Sequence, residues 1–262
     1  MNKGPIGIFD SGIGGTSIWR EIHKLLPNES TIYLADSKNA PYGEKSQEQI
    51  LALSIKNVDY LIGKGCKLIV IACNTATTNA IEELRAKYDL PIIGIEPAIK
   101  TAALNSKTKK VGVLATKGTL SSRLFHSTSE SHANGIRILE QKGTGLVELI
   151  ENGELTSLKT KTLLERYLAP MLQEGIDQLV LGCTHYPYLI PLLTNILPNH
   201  VKIIDSGEGV ARQTKKVLEN YNLCTPLTSK AKFQFYSNKD VEVLESFVKP
   251  TGVAYEIRFL DF

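Results

Sequence analysis

The sequence predicts an α/β protein of two related units, each with a mostly parallel sheet, and three observations carry that expectation. Short apolar runs bounded by glycine or alanine alternate with amphipathic stretches along the chain, as buried parallel strands do when helices cover both faces of their sheet. Two of these runs read alike and each ends on a cysteine: Leu68-Ile-Val-Ile-Ala-Cys73-Asn74-Thr75 and Leu179-Val-Leu-Gly-Cys183-Thr184-His185. The length, 262 residues with 42% apolar and 22% charged side chains, suits one large soluble domain or two smaller ones.

In chain order, the first strand is expected over 6–9, where Ile6-Gly-Ile-Phe9 precedes Asp10-Ser11, and the second over 31–35, before Asp36-Ser37. A third over 68–72 runs into Cys73, and a fourth follows over 92–95. Strands over 111–115, 136–139, 179–181 and 201–204 continue the alternation in the second half. The C-terminal remainder, with strands over 231–236 and 254–260, is expected to return to the first unit. Helical periodicity lies between strands over 46–62, 75–88, 155–173 and 207–218. Glu96-Pro97 and Asp205-Ser206-Gly207 follow strand ends and are the expected crossing points, giving a first domain of 1–97 plus 206–262 and a second of 98–205.

Composition excludes several functions. A net charge of +3 is too small to imply a nucleic-acid or membrane partner, and the basic cluster Lys107-Thr-Lys-Lys110 reads as a solvated loop. Met1-Asn-Lys-Gly-Pro runs straight into the first strand without a signal-type hydrophobic region, and no apolar stretch is long enough to cross a bilayer, so a cytoplasmic location is expected. The four cysteines, at 66, 73, 183 and 224, form no C-x-x-C pair and are expected as free thiols, with Cys66 and Cys224 as small core hydrophobes. Cys183-x-His185 lacks further ligands at metal spacing, so no metal is expected. Gly12-Ile-Gly14-Gly15 fails as a dinucleotide fingerprint because Ser17 stands at the third glycine position. His23, His126, His132 and His200 are expected at the surface. Asp36 reads equally as a cap of the following turn, Tyr42 as packing, and Glu151 as a surface carboxylate at a helix end.

In open α/β sheets ligands bind beyond the carboxyl ends of the strands, where this chain places Asp10-Ser11, Asp36-Ser37, Cys73-Asn74-Thr75 and Cys183-Thr184-His185. The helices that follow offer backbone N–H groups to a carboxylate, and their dipole is expected to lower a thiol from about 8.5 toward neutrality. Two thiols at equivalent strand ends, facing across a cleft, suit a reaction that removes a proton from one side of a carbon and supplies one to the other.

Phe9-Asp10-Ser11-Gly12-Ile-Gly14-Gly15, Ala35-Asp36 with Pro41-Tyr42-Gly43, Ala72-Cys73-Asn74-Thr75-Ala76-Thr77, Gly112-Val-Leu-Ala-Thr116 with Gly118-Thr119, and Leu181-Gly-Cys183-Thr184-His185-Tyr186-Pro187 together resemble the glutamate racemase family, in order and over essentially the whole chain. The resemblance implies two similar flavodoxin-like domains facing each other across the active site, often in a homodimer. It implies cofactor-independent interconversion of L- and D-glutamate, supplying D-glutamate for bacterial peptidoglycan. It makes Cys73 and Cys183 the acid/base thiols, Asp10 and His185 the polar groups beside them, and Ser11, Tyr42, Gly43, Asn74, Thr75 and Thr184 substrate contacts. For Glu151 it implies an acid near the site, as the alternative to a surface carboxylate. Related aspartate racemases usually carry Thr-Glu where this chain has Thr184-His185, which favours glutamate; the alternatives are another small acid as substrate, or a non-catalytic amino-acid sensor. The sensor reading sits poorly with two intact thiols and both polar partners.

Overall fold

The computed structural model describes residues 4–132, 135–226 and 230–262; residues 1–3, read above as leading into the first strand, lie outside them. The chain runs β1 (Ile6–Asp10), α1 (Thr16–Leu25), β2 (Thr31–Ala35), α2 (Gln47–Gly63), β3 (Leu68–Ile71), α3 (Asn74–Lys87) and β4 (Ile92–Gly94). It continues with α4 (Ile99–Asn105), β5 (Lys110–Ala115), the short α5 (Lys117–Leu120), α6 (Arg123–His132), β6 (Arg137–Lys142), α7 (Leu146–Glu151) and α8 (Leu158–Glu174). The last elements are β7 (Gln178–Gly182), α9 (Ile190–Ile196), β8 (Lys202–Ile204), α10 (Gly207–Asn220), β9 (Phe233–Ser237), α11 (Val241–Val248) and β10 (Glu256–Phe259).

The strands form two sheets, β10-β9-β2-β1-β3-β4 and β6-β5-β7-β8, and every pairing among the described residues is parallel. The order β2-β1-β3-β4 of the first sheet recurs as β6-β5-β7-β8 in the second, so β3 and β7 are equivalent strands. In each sheet the strand order reverses at its first strand, β1 or β5, which puts a crevice at the carboxyl ends of β1 and β3 and another at those of β5 and β7. Cys73 and Cys183 follow β3 and β7.

Local chemistry fixes the helix starts that matter. Ser46 and Gln49 form a reciprocal capping box at α2. Ser157 opens α8, which ends at Gly175 in the left-handed region (φ +82°). Cys73 itself caps α3: its Sγ accepts from the Ala76 N–H at 3.5 Å, which ties the thiol to the first turn of the helix.

Among the described residues the core has three parts. A large cluster contains residues of both units, including Ile8, Trp19 and Tyr33 beside Leu164, Leu181 and Tyr186. Smaller clusters lie on the other faces of the two sheets, around Val58, Leu61 and Ile71 in the first and Val113, Phe125 and Val180 in the second. Fully burying such side chains stabilises by roughly 1.5–3 kcal/mol each, which makes the site's scaffold rigid.

Two surface expectations are corrected. Cys224 is exposed, because it sits in the segment leaving α10 rather than under a sheet. His23 is half-buried: one turn after Trp19 on α1, its ring stacks on the indole (5.4 Å, 7°) and meets the edge of Phe233 at 4.8 Å. Among the described residues, no helix is long and apolar enough to cross a membrane.

Candidate active site

Cys73 and Cys183 both line a narrow, tightly closed cavity of about 10 Å³ between the two sheets. Ser11, Tyr42, Gly43, Asn74 and Thr75 contribute to its wall from the first unit, and Thr184 and His185 from the second. Pro41, Thr116 and Val147 complete it; none of these three was singled out as a site residue from the sequence. The described residues that line the cavity include no lysine or arginine, so an anionic ligand is held by neutral donors and by His185.

Asp10 lies fully buried at the end of β1, next to the wall. Its carboxylate accepts the N–H groups of Ser11 (2.8 Å) and Gly15 (2.6 Å) and the Thr184 hydroxyl at 3.3 Å, a bond that reaches across to the other unit. Burial raises the Asp10 carboxyl above its ordinary range, against the opposing pull of His185 and the Gly15 N–H.

The two thiols sit in different electrostatic settings. Around Cys73, Ser11 Oγ is 3.7 Å from Sγ, and burial followed by the charge of Asp10 holds the thiol well above its ordinary range. This corrects the expectation that the helix start would bring that thiol toward neutrality: the Ala76 N–H does pull its pKa down, but burial and Asp10 outweigh it. Cys183 Sγ instead lies 3.8 Å from His185 Nδ1, and His185 Nε2 lies 2.7 Å from Glu151 Oε1. Burial alone would lower the imidazole, but its contacts with Cys183 and Glu151 raise it well above its ordinary range. The arrangement favours a proton on Cys73 and places an imidazolium beside Cys183, so the two thiols face unlike proton partners.

Glu151 is thus a site residue rather than a surface carboxylate, with only 16% of its side chain exposed. Val147 and Glu151 are four apart on one helix, so the helix that turns Val147 to the cavity turns Glu151 the same way. Asp36 caps no turn through its side chain. It accepts the Tyr42 hydroxyl and the side-chain amides of Asn39 (2.8 Å) and Asn238, and so anchors the loop that presents Tyr42 and Gly43.

Two further features bear on ligand binding. Both amide atoms of Asn74 are buried without a hydrogen-bond partner at the cavity wall, a cost of about 1–3 kcal/mol per group that a ligand carboxylate or ammonium would relieve. On the neighbouring wall, Thr75 meets Thr116 at 2.8 Å and Thr119 at 3.3 Å, closing the two units against each other.

A family model for Asp/Glu/hydantoin racemases matches residues 6–214. The glutamate racemase of Ectopseudomonas mendocina is 46% identical over 247 residues, 94% of each chain. The Escherichia coli glutamate racemase solved with L-glutamate superposes with a TM-score of 0.86 at 34% identity, covering 98% of both chains. The Francisella tularensis glutamate racemase solved with D-glutamate also gives 0.86, at 28% identity over 100% of this chain and 98% of its own.

Proposed function

The chain belongs to the Asp/Glu/hydantoin racemase family, and on that premise we propose that it is a glutamate racemase whose chemistry runs between Cys73 and Cys183. It interconverts L- and D-glutamate. The observation that carries the two-thiol reading is the pair of equivalent strand ends, β3 and β7, that bring one cysteine each to the same cavity.

With glutamate in the cavity, one thiolate removes the α-proton from one face and the opposite thiol delivers a proton to the other; the handedness of the substrate decides which cysteine begins as base. Positioned acid/base groups supply about 10²–10⁴-fold. An α-proton beside a carboxylate needs more, and the remainder comes from donors already aimed at the carboxylate as charge builds, each worth roughly 3–4 kcal/mol in comparable sites. The partnerless Asn74 amide, the Thr75 and Thr184 hydroxyls and the N–H groups at the start of α3 supply those donors. Asp10 sits beside Cys73 and faces the substrate ammonium, while His185 hands a proton to or from Cys183 with Glu151 behind it. Ser11, Tyr42 and Gly43 shape the wall around the substrate.

We assign the enzyme to the cytoplasm, as a homodimer supplying D-glutamate for peptidoglycan, with no nucleic-acid or membrane partner. The test of function is circular dichroism of L- and of D-glutamate with purified enzyme and no added cofactor, with aspartate assayed in parallel. Loss of optical activity from both glutamate enantiomers, insensitive to chelators and faster than for aspartate, is expected; inertness toward glutamate, or preference for aspartate, would overturn the assignment. Light scattering in the same buffer reads the oligomeric state.

A further inference from the structure

The proton relay on the Cys183 side belongs to the second unit, yet part of its support comes from the first. The loop after β1 lies directly against it. The Ile13 N–H donates to Glu151 Oε1 at 2.9 Å, the same oxygen that meets His185 Nε2 at 2.7 Å. A Cβ built on Gly12 would stand 2.0 Å from Glu151 Oε1, and one built on Gly14 would stand 2.2 Å from His185 Nδ1. The loop is itself held: the Tyr33 hydroxyl donates to the Gly12 carbonyl at 2.8 Å and the Thr16 hydroxyl to the Ile13 carbonyl at 2.6 Å.

We propose that Gly12-Ile13-Gly14 is a positioning element for the Cys183 proton relay, leaving the space that the Glu151 carboxylate and the His185 ring occupy and fixing the carboxylate through the Ile13 N–H. Cys73 and Asp10 are held mainly within their own unit, by Ser11, Gly15 and Ala76, with the Thr184 hydroxyl reaching Asp10 from the other, whereas the Glu151 carboxylate behind His185 takes a backbone donor from the first unit. The contacts that hold that carboxylate are therefore complete only with the loop after β1 in place. This inference rests on the two-thiol reading above.

The test uses the full chain with Gly12→Ala, Gly14→Ala, Glu151→Asp and the double variant Gly12→Ala/Glu151→Asp, with Cys183→Ala assayed alongside. An added methyl on Gly14 has to push the imidazole by about 1 Å, and a misplacement of that size costs about 10²-fold, so kcat is expected to fall by that factor while KM changes little. NMR titration of His185, which faces Cys183, Glu151 and Asp10, is expected to move to lower pH in Gly12→Ala as the carboxylate is displaced. The shorter acid of Glu151→Asp makes room for the methyl, so the double variant is expected to match Glu151→Asp alone, a non-additivity that separate structural damage would not produce. Should a single glycine variant melt below the assay temperature, the double variant still decides: activity equal to Glu151→Asp supports the inference, and additive loss overturns it. Wild-type kcat and His185 titration in Gly12→Ala and Gly14→Ala would also overturn it. An inactive Cys183→Ala beside active glycine variants removes only this inference, whereas an active Cys183→Ala removes the two-thiol reading itself.

Discussion

Glu151 at the end of α7 and His185 beyond β7, 34 residues apart in the chain, meet at 2.7 Å and leave the far ring nitrogen of the imidazole 3.8 Å from Cys183. Glu151→Gln keeps the shape and removes the charge that holds His185 protonated. We expect kcat to fall by about 10²-fold, at the low end of what a positioned acid/base group supplies. The pH dependence of stability follows with a definite sign. A histidine raised in the folded state contributes stability in full below its unfolded value of 6.5, and that contribution is lost as pH rises through the folded value. The difference in melting temperature between wild type and Glu151→Gln should therefore be largest near pH 6 and shrink toward alkaline pH. A constant difference across that range would refute the charge argument.

The four cysteines separate by environment. Cys73→Ala and Cys183→Ala should each abolish racemisation, with the double variant little worse than either, because the two thiols act as one unit. Cys66 is buried and its thiol is pushed up to about 12, so it is inert; Cys66→Ala should keep kcat and lose about 1 kcal/mol of stability. Cys224→Ala, at an exposed position, should change stability by less than about 0.5 kcal/mol. Racemisation rates and urea midpoints decide all four, and substantial turnover in Cys73→Ala or Cys183→Ala would sink the assignment.

Much of this was legible in the sequence because strands buried on both faces are apolar along most of their length. Leu68–Ile71 and Gln178–Gly182 sit within a residue of their expected ends for that reason. Edge strands obey no such rule: β6, half-exposed, extends to Lys142 through Glu140 and Gln141, past the expected end at 139. Residues defined by distant partners were hidden. Glu151 is given meaning by an N–H 138 positions away, and Asp36 by Asn238, 202 positions away. Thr116 and Val147 reach the cavity only through the closure of the second unit on the first. The raised Cys73 thiol also depends on packing, since a helix start favours thiolate but an enclosed cavity with a carboxylate neighbour does not.

Lys67 and Glu29 form an ion pair at 2.6 Å with 0% and 5% of their side chains exposed. Thr225 closes it, donating its N–H and hydroxyl to the Glu29 carboxylate at 2.7 Å each, which ties the segment after α10 to the start of β3. Removing one partner leaves a buried charge uncompensated, so Lys67→Met should destabilise by about 3–5 kcal/mol. Replacing both, Lys67→Met/Glu29→Gln, should recover part of that loss. Urea unfolding of the three proteins measures it; a loss under about 1 kcal/mol for Lys67→Met would mean that the pair is far better solvated than its burial implies.

The final expectation concerns the transferred proton. Cys73 and Cys183 approach the cavity from different units, each with its own polar neighbour, Asp10 for the first and His185 for the second. If they work on opposite faces without sharing a proton, L-glutamate turned over in heavy water should yield D-glutamate carrying deuterium at Cα. The proton lost by the substrate goes to one thiol, and the product's hydrogen comes from the other, which has already equilibrated with solvent. Unconverted L-glutamate should stay largely protiated early in the reaction, because reversal within the complex returns the same proton from the same thiol. A single base serving both faces would carry the original proton across. Mass spectrometry of both enantiomers at low conversion separates the cases, and early D-glutamate that retains protium would count decisively against two thiols.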